Sequence, residues 1–183
     1  LVRNKRLQGK TAITGEKTVL FVHGSTLPSE SSFDLQLGGK SWMDVLARDG
    51  YDAFFLDIRG YGGSDRPPEM DLAAMDNPPV VRTETAVADL AKAVEFICRH
   101  RNIERLNLIG WSWGTTIAGA YTADNNSTVA KLVLIAPQWL RMDSSTSDPG
   151  GDLGAYRTIT PEMALQRWQH GVPEGAWEAL VPE

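Results

Sequence analysis

The sequence has only one cysteine, no long apolar run and no methionine at its first position. Cys98 is the single thiol among 183 residues, which excludes a disulfide within the chain and a metal site built from several cysteines. A chain without disulfides fits a reducing compartment, so we expect a cytoplasmic protein. Because the first residue is Leu1, a leader peptide removed at an earlier stage stays open as an alternative.

The chain also lacks the features by which proteins enter membranes or bind nucleic acids. Its longest uninterrupted apolar run covers residues 132–136, far short of the roughly 20 residues that a membrane-spanning helix needs. The 18 Lys and Arg residues are outnumbered by 23 Asp and Glu residues, for a net charge of −5. A mildly acidic chain without a stripe of basic residues is not expected to bind the phosphate groups of a nucleic acid. We therefore expect neither a nucleic acid nor a membrane as partner.

The composition is that of one globular domain, with 42% hydrophobic and 22% charged residues. Short, almost continuously apolar runs predict strands that are covered on both faces, as in a parallel sheet. Amphipathic stretches between these runs predict helices, and the alternation predicts an α/β fold with a mostly parallel sheet flanked by helices. The predicted strands are 18–22, 53–56, 106–109 and 132–135, and the predicted helices are 41–49, 83–100, 113–123, 161–170 and 173–180.

The pentapeptide Gly110-Trp111-Ser112-Trp113-Gly114 follows a predicted strand and opens a predicted helix. It matches the pattern G-x-S-x-G, which becomes informative only in this strand–turn–helix context. A turn this sharp strains its central residue, and it lifts the hydroxyl of Ser112 clear of the sheet. The hydroxyl would then lie at a helix N-terminus, where free N–H groups favour negative charge. Ser112 is therefore the candidate nucleophile.

Two further loops begin where predicted strands end. His23-Gly24 follows the first strand, and the loop that starts there can offer a backbone N–H towards Ser112. With the N–H of Trp113 it would form an oxyanion hole, for which Ser25 is the expected donor and Thr26 the next candidate. The glycine-rich run 57–64 follows the second strand, and in it we interpret Asp57 and Arg59 as residues that fix the loop, not as acid and base.

These three signals together resemble the α/β-hydrolase family, in particular the branch of esterases, epoxide hydrolases, haloalkane dehalogenases and C–C bond hydrolases. The resemblance extends from the first predicted strand to the fourth, residues 18–135. It implies that Ser112 is the nucleophile. Epoxide hydrolases and dehalogenases carry Asp at that place, and a serine cannot supply their alkyl-ester intermediate. Acyl transfer through an acyl-enzyme is therefore the chemistry that the resemblance favours.

The chain departs from the family after the fourth strand. The family places an acid and then a histidine after the nucleophile, but only His170 follows Ser112, at the end of a predicted helix. Asp143 lies a few residues beyond the fourth predicted strand, where some family members place their acid, and is a minor candidate for that role. We expect residues 1–137 to be the N-terminal part of the hydrolase core and residues 138–183 the start of a helical cap. Acid and base would then come from a C-terminal segment outside this chain; a shortened relative with another role is the alternative.

The predicted function is hydrolysis of a carboxylic ester with an apolar small molecule as substrate. Trp111 and Trp139 are candidates for the lining of the substrate pocket, although core packing explains them equally well. The sequence predicts no metal site and no cofactor. Two alternatives stay open: an amide, peptide or C–C bond hydrolase with the same nucleophile, and a ligand-binding protein without catalytic activity.

Overall fold

A twisted five-stranded sheet is the centre of the computed structural model, which describes residues 1–9, 13–138, 152–173 and 175–177. Its strand order is β1-β3-β2-β4-β5. The last four strands in chain order are mutually parallel, and β1 runs antiparallel to β3 at one edge. The strands are β1 Val2–Lys5, β2 Thr18–Val22, β3 Asp52–Leu56, β4 Leu106–Trp111 and β5 Val129–Ile135.

Helices connect the strands and cover both faces of the sheet. Five α-helices are described: α1 Ser29–Phe33, α2 Trp42–Arg48, α3 Thr83–Arg101, α4 Trp113–Asp124 and α5 Pro161–Gln169. Short 3-10 helices lie at Gly15–Lys17, Pro68–Asp71, Ala74–Asp76 and Asn126–Thr128. In the described part of the chain, no helix is long and apolar enough to cross a membrane.

The predicted α/β fold with a mostly parallel sheet is confirmed, and each of the four predicted strands is present. Sequence analysis missed β1, because this edge strand has the sequence VRNK, with three consecutive polar residues and no apolar run. The predicted helix 83–100 is confirmed, and its N-cap is Arg82, which makes no side-chain capping hydrogen bond. The hydroxyl of the next residue, Thr83, accepts a hydrogen bond from Trp113 Nε1 at 3.1 Å.

Two apolar clusters hold the helices to the sheet. On one face, buried side chains of α3 and α4 pack on β2, β3 and β4; on the other, Phe33 and Met43 pack on Phe21 and Phe55. The Phe21 and Phe33 rings stack with centroids 4.6 Å apart. Because the carboxyl ends of parallel strands lie at the same end of the sheet, the loops after β2, β3 and β4 meet there.

Residues 155 and 156 contact the loop between β3 and α3. The Ala155 N–H donates to the Ala74 carbonyl at 2.7 Å, and the Tyr156 hydroxyl donates to the Leu72 carbonyl at 2.9 Å. The predicted helix 161–170 is confirmed as α5, whereas half of the predicted helix 173–180 lies outside the described residues. The predicted division into 1–137 and 138–183 stays a prediction.

Candidate active site

Ser112 is the turn between β4 and α4. Its backbone has φ 54° and ψ −120°, a region in which a non-glycine residue costs about 1–3 kcal/mol. The surroundings hold it there: the Ser112 N–H donates to the Ile135 carbonyl at 3.0 Å, and the Thr115 N–H donates back to the Ser112 carbonyl at 2.9 Å. The buried Thr115 hydroxyl donates to the same carbonyl at 2.6 Å. The sharp turn inferred from the pentapeptide is therefore present.

The two glycines of the pentapeptide are needed because backbones approach closely. A Cβ on Gly110 would lie 2.4 Å from the carbonyl oxygen of Gly114. A Cβ on Gly114 would lie 2.2 Å from the carbonyl oxygen of Val22. Both neighbours are backbone atoms, which a side-chain rotation cannot move. Strand, turn and helix therefore fit together only without side chains at these positions.

The turn after β2 touches the candidate nucleophile. A Cβ on Gly24 would lie 2.9 Å from the Cβ of Ser112 and 3.5 Å from its Oγ. The next residue, Ser25, is exposed, and Ser112 is partly exposed. Trp113 is the first residue of α4, so its N–H is one of the free amides of a helix N-terminus. The structure thus brings the backbone of the residue before Ser25 against Ser112, at the start of the helix that carries Trp113.

His23 is a structural histidine that anchors this turn. Its side chain is fully buried, with Nδ1 2.6 Å from the Gly24 carbonyl oxygen and Nε2 3.1 Å from the Ile58 amide nitrogen. These partners assign the proton to Nδ1, which donates, while Nε2 accepts. Burial lowers the pKa of the imidazole below its ordinary value. A neutral ring with both nitrogens occupied holds the backbone and has no site left to take a proton from Ser112.

The burial of neutral His23 should make the protein less stable as the pH falls. The unfolded imidazole binds a proton below about pH 6.5, whereas the folded one stays neutral to a lower pH. The free energy of unfolding is therefore expected to decrease between pH 7 and 5.5, with a slope of up to about 1.4 kcal/mol per pH unit from this group. Urea titrations at several pH values measure the slope. It should shrink in His23→Gln and persist in His100→Gln; an unchanged slope in His23→Gln contradicts the assignment.

Asp57 fixes the loop after β3, as the sequence predicts. Its buried carboxylate accepts hydrogen bonds from the Ser29 N–H at 2.9 Å and the Gly63 N–H at 3.0 Å. Arg59 forms an ion pair with Asp89 on α3. Both carboxylate oxygens of Asp57 are thus engaged by backbone amides, which supports a structural role for this residue.

Tyr61 is a residue at the site that sequence reasoning missed. Its ring centroid lies 4.7 Å from that of His23 and 6.4 Å from that of Trp113. Burial raises the pKa of its phenol above the ordinary value. The glycine-rich run that contains Tyr61 indicated a tight loop, but no local pattern shows which of its side chains turns inward.

The remaining candidates lie away from Ser112 or outside the described residues. His100 stacks on Phe96 at the end of α3. The next residue, Arg101, forms an ion pair with Asp52 at the start of β3. His100 therefore lies near the amino ends of the parallel strands, opposite to the end at which Ser112 lies. His170 is exposed and caps α5. Trp139 and Asp143 lie outside the described residues. In the described ranges, no group of three or more His, Cys, Asp or Glu side chains could hold a metal ion.

The aromatic residues that flank Ser112 differ in their packing. Trp111 is partly buried against the cluster of Phe21, Phe33 and Phe55, and Trp113 packs against the cluster on the opposite face. A cavity of about 820 Å³ opens elsewhere, between α3 and the loop after β3, and neither tryptophan lines it. The predicted pocket of Trp111 and Trp139 therefore stays a prediction.

Comparison with known proteins identifies relatives of this architecture. The profile of a family described as "alpha/beta hydrolase fold" matches residues 17–165. A proline iminopeptidase of Heyndrickxia coagulans is 31% identical over 123 residues, which are 67% of this chain and 36% of that protein. A multifunctional-autoprocessing repeats-in-toxin of Vibrio vulnificus is 24% identical over 177 residues, 91% of this chain and 3% of that protein.

Solved structures give the same picture. A thermophilic esterase from Thermogutta terrifontis superimposes with a TM-score of 0.54 and 25% identity, covering 79% of this chain and 42% of that one. The chain therefore spans less than half the length of each of these relatives.

Proposed function

This chain belongs to the α/β-hydrolase fold family, and on that premise we propose that it carries the nucleophile of a serine hydrolase that cleaves carboxylic esters. The observation that carries the proposal is the conformation of Ser112. Its positive φ is held by backbone hydrogen bonds on both sides, next to the Gly24 turn and at the start of α4. Backbone strain of this kind persists where the surroundings impose it, and it is common at active sites.

The proposed reaction proceeds through an acyl-enzyme. Ser112 Oγ attacks the carbonyl carbon of the ester while a histidine takes its proton. The carbonyl oxygen becomes an oxyanion, which the N–H groups of Ser25 and Trp113 stabilise. The tetrahedral intermediate collapses, and the alcohol leaves with the proton of the histidine. Water, deprotonated by the same histidine, then attacks the acyl-enzyme, and the carboxylic acid is released as the Ser112 hydroxyl is restored.

The base and its acid partner are proposed to come from a C-terminal segment outside this chain. Among the described residues, both ring nitrogens of His23 have hydrogen-bond partners. His100 lies near the amino ends of the parallel strands, away from Ser112, and His170 is the exposed C-cap of α5. The outer side of β5 is consistent with such a segment, because Val133 and Leu134 there are 45% and 43% exposed. An unpaired edge strand with exposed apolar side chains is a surface that a further strand would cover.

An alternative substrate class is an amide or peptide, cleaved with the same nucleophile. The 31% identity to a proline iminopeptidase favours it. The similarity to an esterase favours an ester instead. A ligand-binding role on the same scaffold is the third candidate, and it would need no proton acceptor beside Ser112.

A fluorophosphonate probe tests the proposal on the full-length protein. We expect covalent labelling of one serine, located by mass spectrometry in the peptide that contains Ser112. Turnover of p-nitrophenyl butyrate should exceed turnover of proline p-nitroanilide, and the reverse preference would support the peptidase alternative. A folded protein that neither reacts with the probe nor turns over either substrate would leave the ligand-binding role.

A further inference from the structure

We propose that Thr115 is a positioning residue whose hydroxyl holds the peptide between Ser112 and Trp113 in the orientation required for oxyanion stabilisation. The inference rests on the proposed function, which assigns an oxyanion-hole amide to Trp113. It gives that amide a support within α4, from a side chain that does not itself touch the substrate.

The Thr115 hydroxyl lies in a short chain of hydrogen bonds. Thr115 is buried, with 4% of its surface exposed. Its hydroxyl accepts from the Gln138 N–H at 3.3 Å and donates to the Ser112 carbonyl at 2.6 Å. Because a hydroxyl has one proton and an amide N–H can only donate, the direction of both bonds is fixed. The chain therefore runs from the segment after β5, through Thr115, to the turn of the candidate nucleophile.

The Ser112 carbonyl and the Trp113 N–H belong to one planar peptide. In a trans peptide such as this one, the two groups point in opposite directions. Thr115 directs the carbonyl into α4, through its hydroxyl and through its own N–H at 2.9 Å. The Trp113 N–H therefore points out of the helix N-terminus, where an oxyanion on Ser112 would form.

The two hydrogen bonds to the carbonyl also strengthen the donor at the other end of the peptide. Each draws electron density towards the carbonyl oxygen, and linked hydrogen bonds polarise one another. The backbone on both sides of this chain is strained, since φ is 54° at Ser112 and 48° at Ala136, shortly before Gln138. A peptide beside a strained residue keeps its orientation only where its neighbours hold it.

Loss of the hydroxyl should affect the transition state more than the ground state. Oxyanion donors act mainly once negative charge has developed on the substrate oxygen. Without the hydroxyl, the Ser112 carbonyl keeps the Thr115 N–H as a partner, so the turn remains but its peptide is freer to rotate. We therefore expect a lower kcat, an almost unchanged KM and a folded protein.

The first test compares Thr115→Val with Thr115→Ser in the full-length protein, assayed with p-nitrophenyl butyrate. Valine keeps the shape and removes the hydroxyl, whereas serine keeps the hydroxyl and removes the methyl. We expect kcat of Thr115→Val to fall about tenfold, less than the 10²–10³ for complete loss of one oxyanion donor, with KM within about twofold. Thr115→Ser should stay within about twofold of the wild type. An unchanged kcat in Thr115→Val, or a larger fall in Thr115→Ser, would overturn the inference.

Thr122→Val is the matched control in the same helix. The Thr122 hydroxyl donates to the Ala118 carbonyl at 2.7 Å, near the other end of α4, so this variant removes the same kind of bond away from the nucleophile. Its kcat should equal that of the wild type, and a tenfold fall here as well would overturn the inference.

Thr115→Ala makes the comparison independent of how valine fits. Alanine and serine both lack the methyl and differ only in the hydroxyl. The kcat of Thr115→Ala should therefore be about tenfold lower than that of Thr115→Ser. Equal values of kcat in these two variants would overturn the inference, even if Thr115→Val failed to fold.

The carbonyl carbon of Ser112 gives a measurement that does not depend on catalysis. Its ¹³C chemical shift, read through the Trp113 amide, reports the hydrogen bonds that the carbonyl accepts. The resonance should move upfield in Thr115→Val and keep its position in Thr115→Ser. The same movement in a protein that never reacts with fluorophosphonate would reject the proposed function and retain the contact. An unchanged resonance in Thr115→Val would overturn the inference, even in an active hydrolase.

Discussion

Ser112→Ala is expected to abolish fluorophosphonate labelling and to lower kcat/KM for p-nitrophenyl butyrate by at least about 10⁴-fold in the full-length protein. The reason is that no acyl-enzyme forms without the Oγ, and only binding and the oxyanion donors remain. Labelling is read by intact mass, and kcat/KM from initial rates. Retention of labelling at another serine of the folded variant would show that Ser112 is not the nucleophile.

Substitutions of Ser112 should also change the free energy of unfolding. Because φ at Ser112 is 54°, alanine retains the backbone strain and glycine relieves it. Both variants should be inactive, but Ser112→Gly should be more stable than Ser112→Ala by about 1 kcal/mol in urea unfolding. Equal stabilities of the two variants would mean that the turn is not strained.

The wild type should lie close to Ser112→Ala in stability, since alanine shares its Cβ. Gly119→Ala, in the middle of α4 where an added Cβ meets nothing within 4 Å, calibrates the ordinary cost of glycine in this helix. We expect both Ser112→Gly and Gly119→Ala to be more stable than the wild type. Both results would follow from backbone preference, because glycine suits the positive φ of the turn and alanine suits the helix.

The parallel core was readable from sequence because its strands are continuously apolar. The runs at 18–22, 53–56, 106–109 and 132–135 predicted strands that are covered on both faces, and each run is a strand. The last one differs in burial, because β5 lies at the edge of the sheet and leaves Val133 and Leu134 exposed. The sharp turn at Ser112 could be predicted because the two glycines and the position between a strand and a helix are local features. These signals depend on residues that are neighbours in the chain, so they can be recognised from the sequence alone.

What the sequence did not show depends on contacts between distant segments. Tyr61 and His23 lie 38 positions apart in the chain, and only folding brings their rings to a centroid distance of 4.7 Å. The Thr83 hydroxyl at the start of α3 accepts a hydrogen bond from Trp113, 30 residues away. Local patterns encode periodicity and turns; they do not encode which partner a polar side chain finds across the fold.

Gly114→Ala should be the most destabilising single-methyl change near the site. The added Cβ would lie 2.2 Å from the Val22 carbonyl oxygen and 2.7 Å from that of His23, so α4 and β2 must separate by about an ångström. We expect a loss of about 3 kcal/mol or more, at the upper end for overpacked cores. Urea unfolding measures it, and Gly119→Ala is the matched control in the same helix.

The separation of α4 from β2 also bears on chemistry, because the two elements carry opposite sides of the site. Gly24 follows β2, and Ser112 precedes α4. At temperatures where Gly114→Ala is fully folded, its fluorophosphonate labelling should still be slowed by about tenfold or more, while Gly119→Ala labels at the wild-type rate. A folded Gly114→Ala variant with normal labelling would mean that the close contact between Gly114 and the β2 backbone is not what sets the nucleophile against the turn.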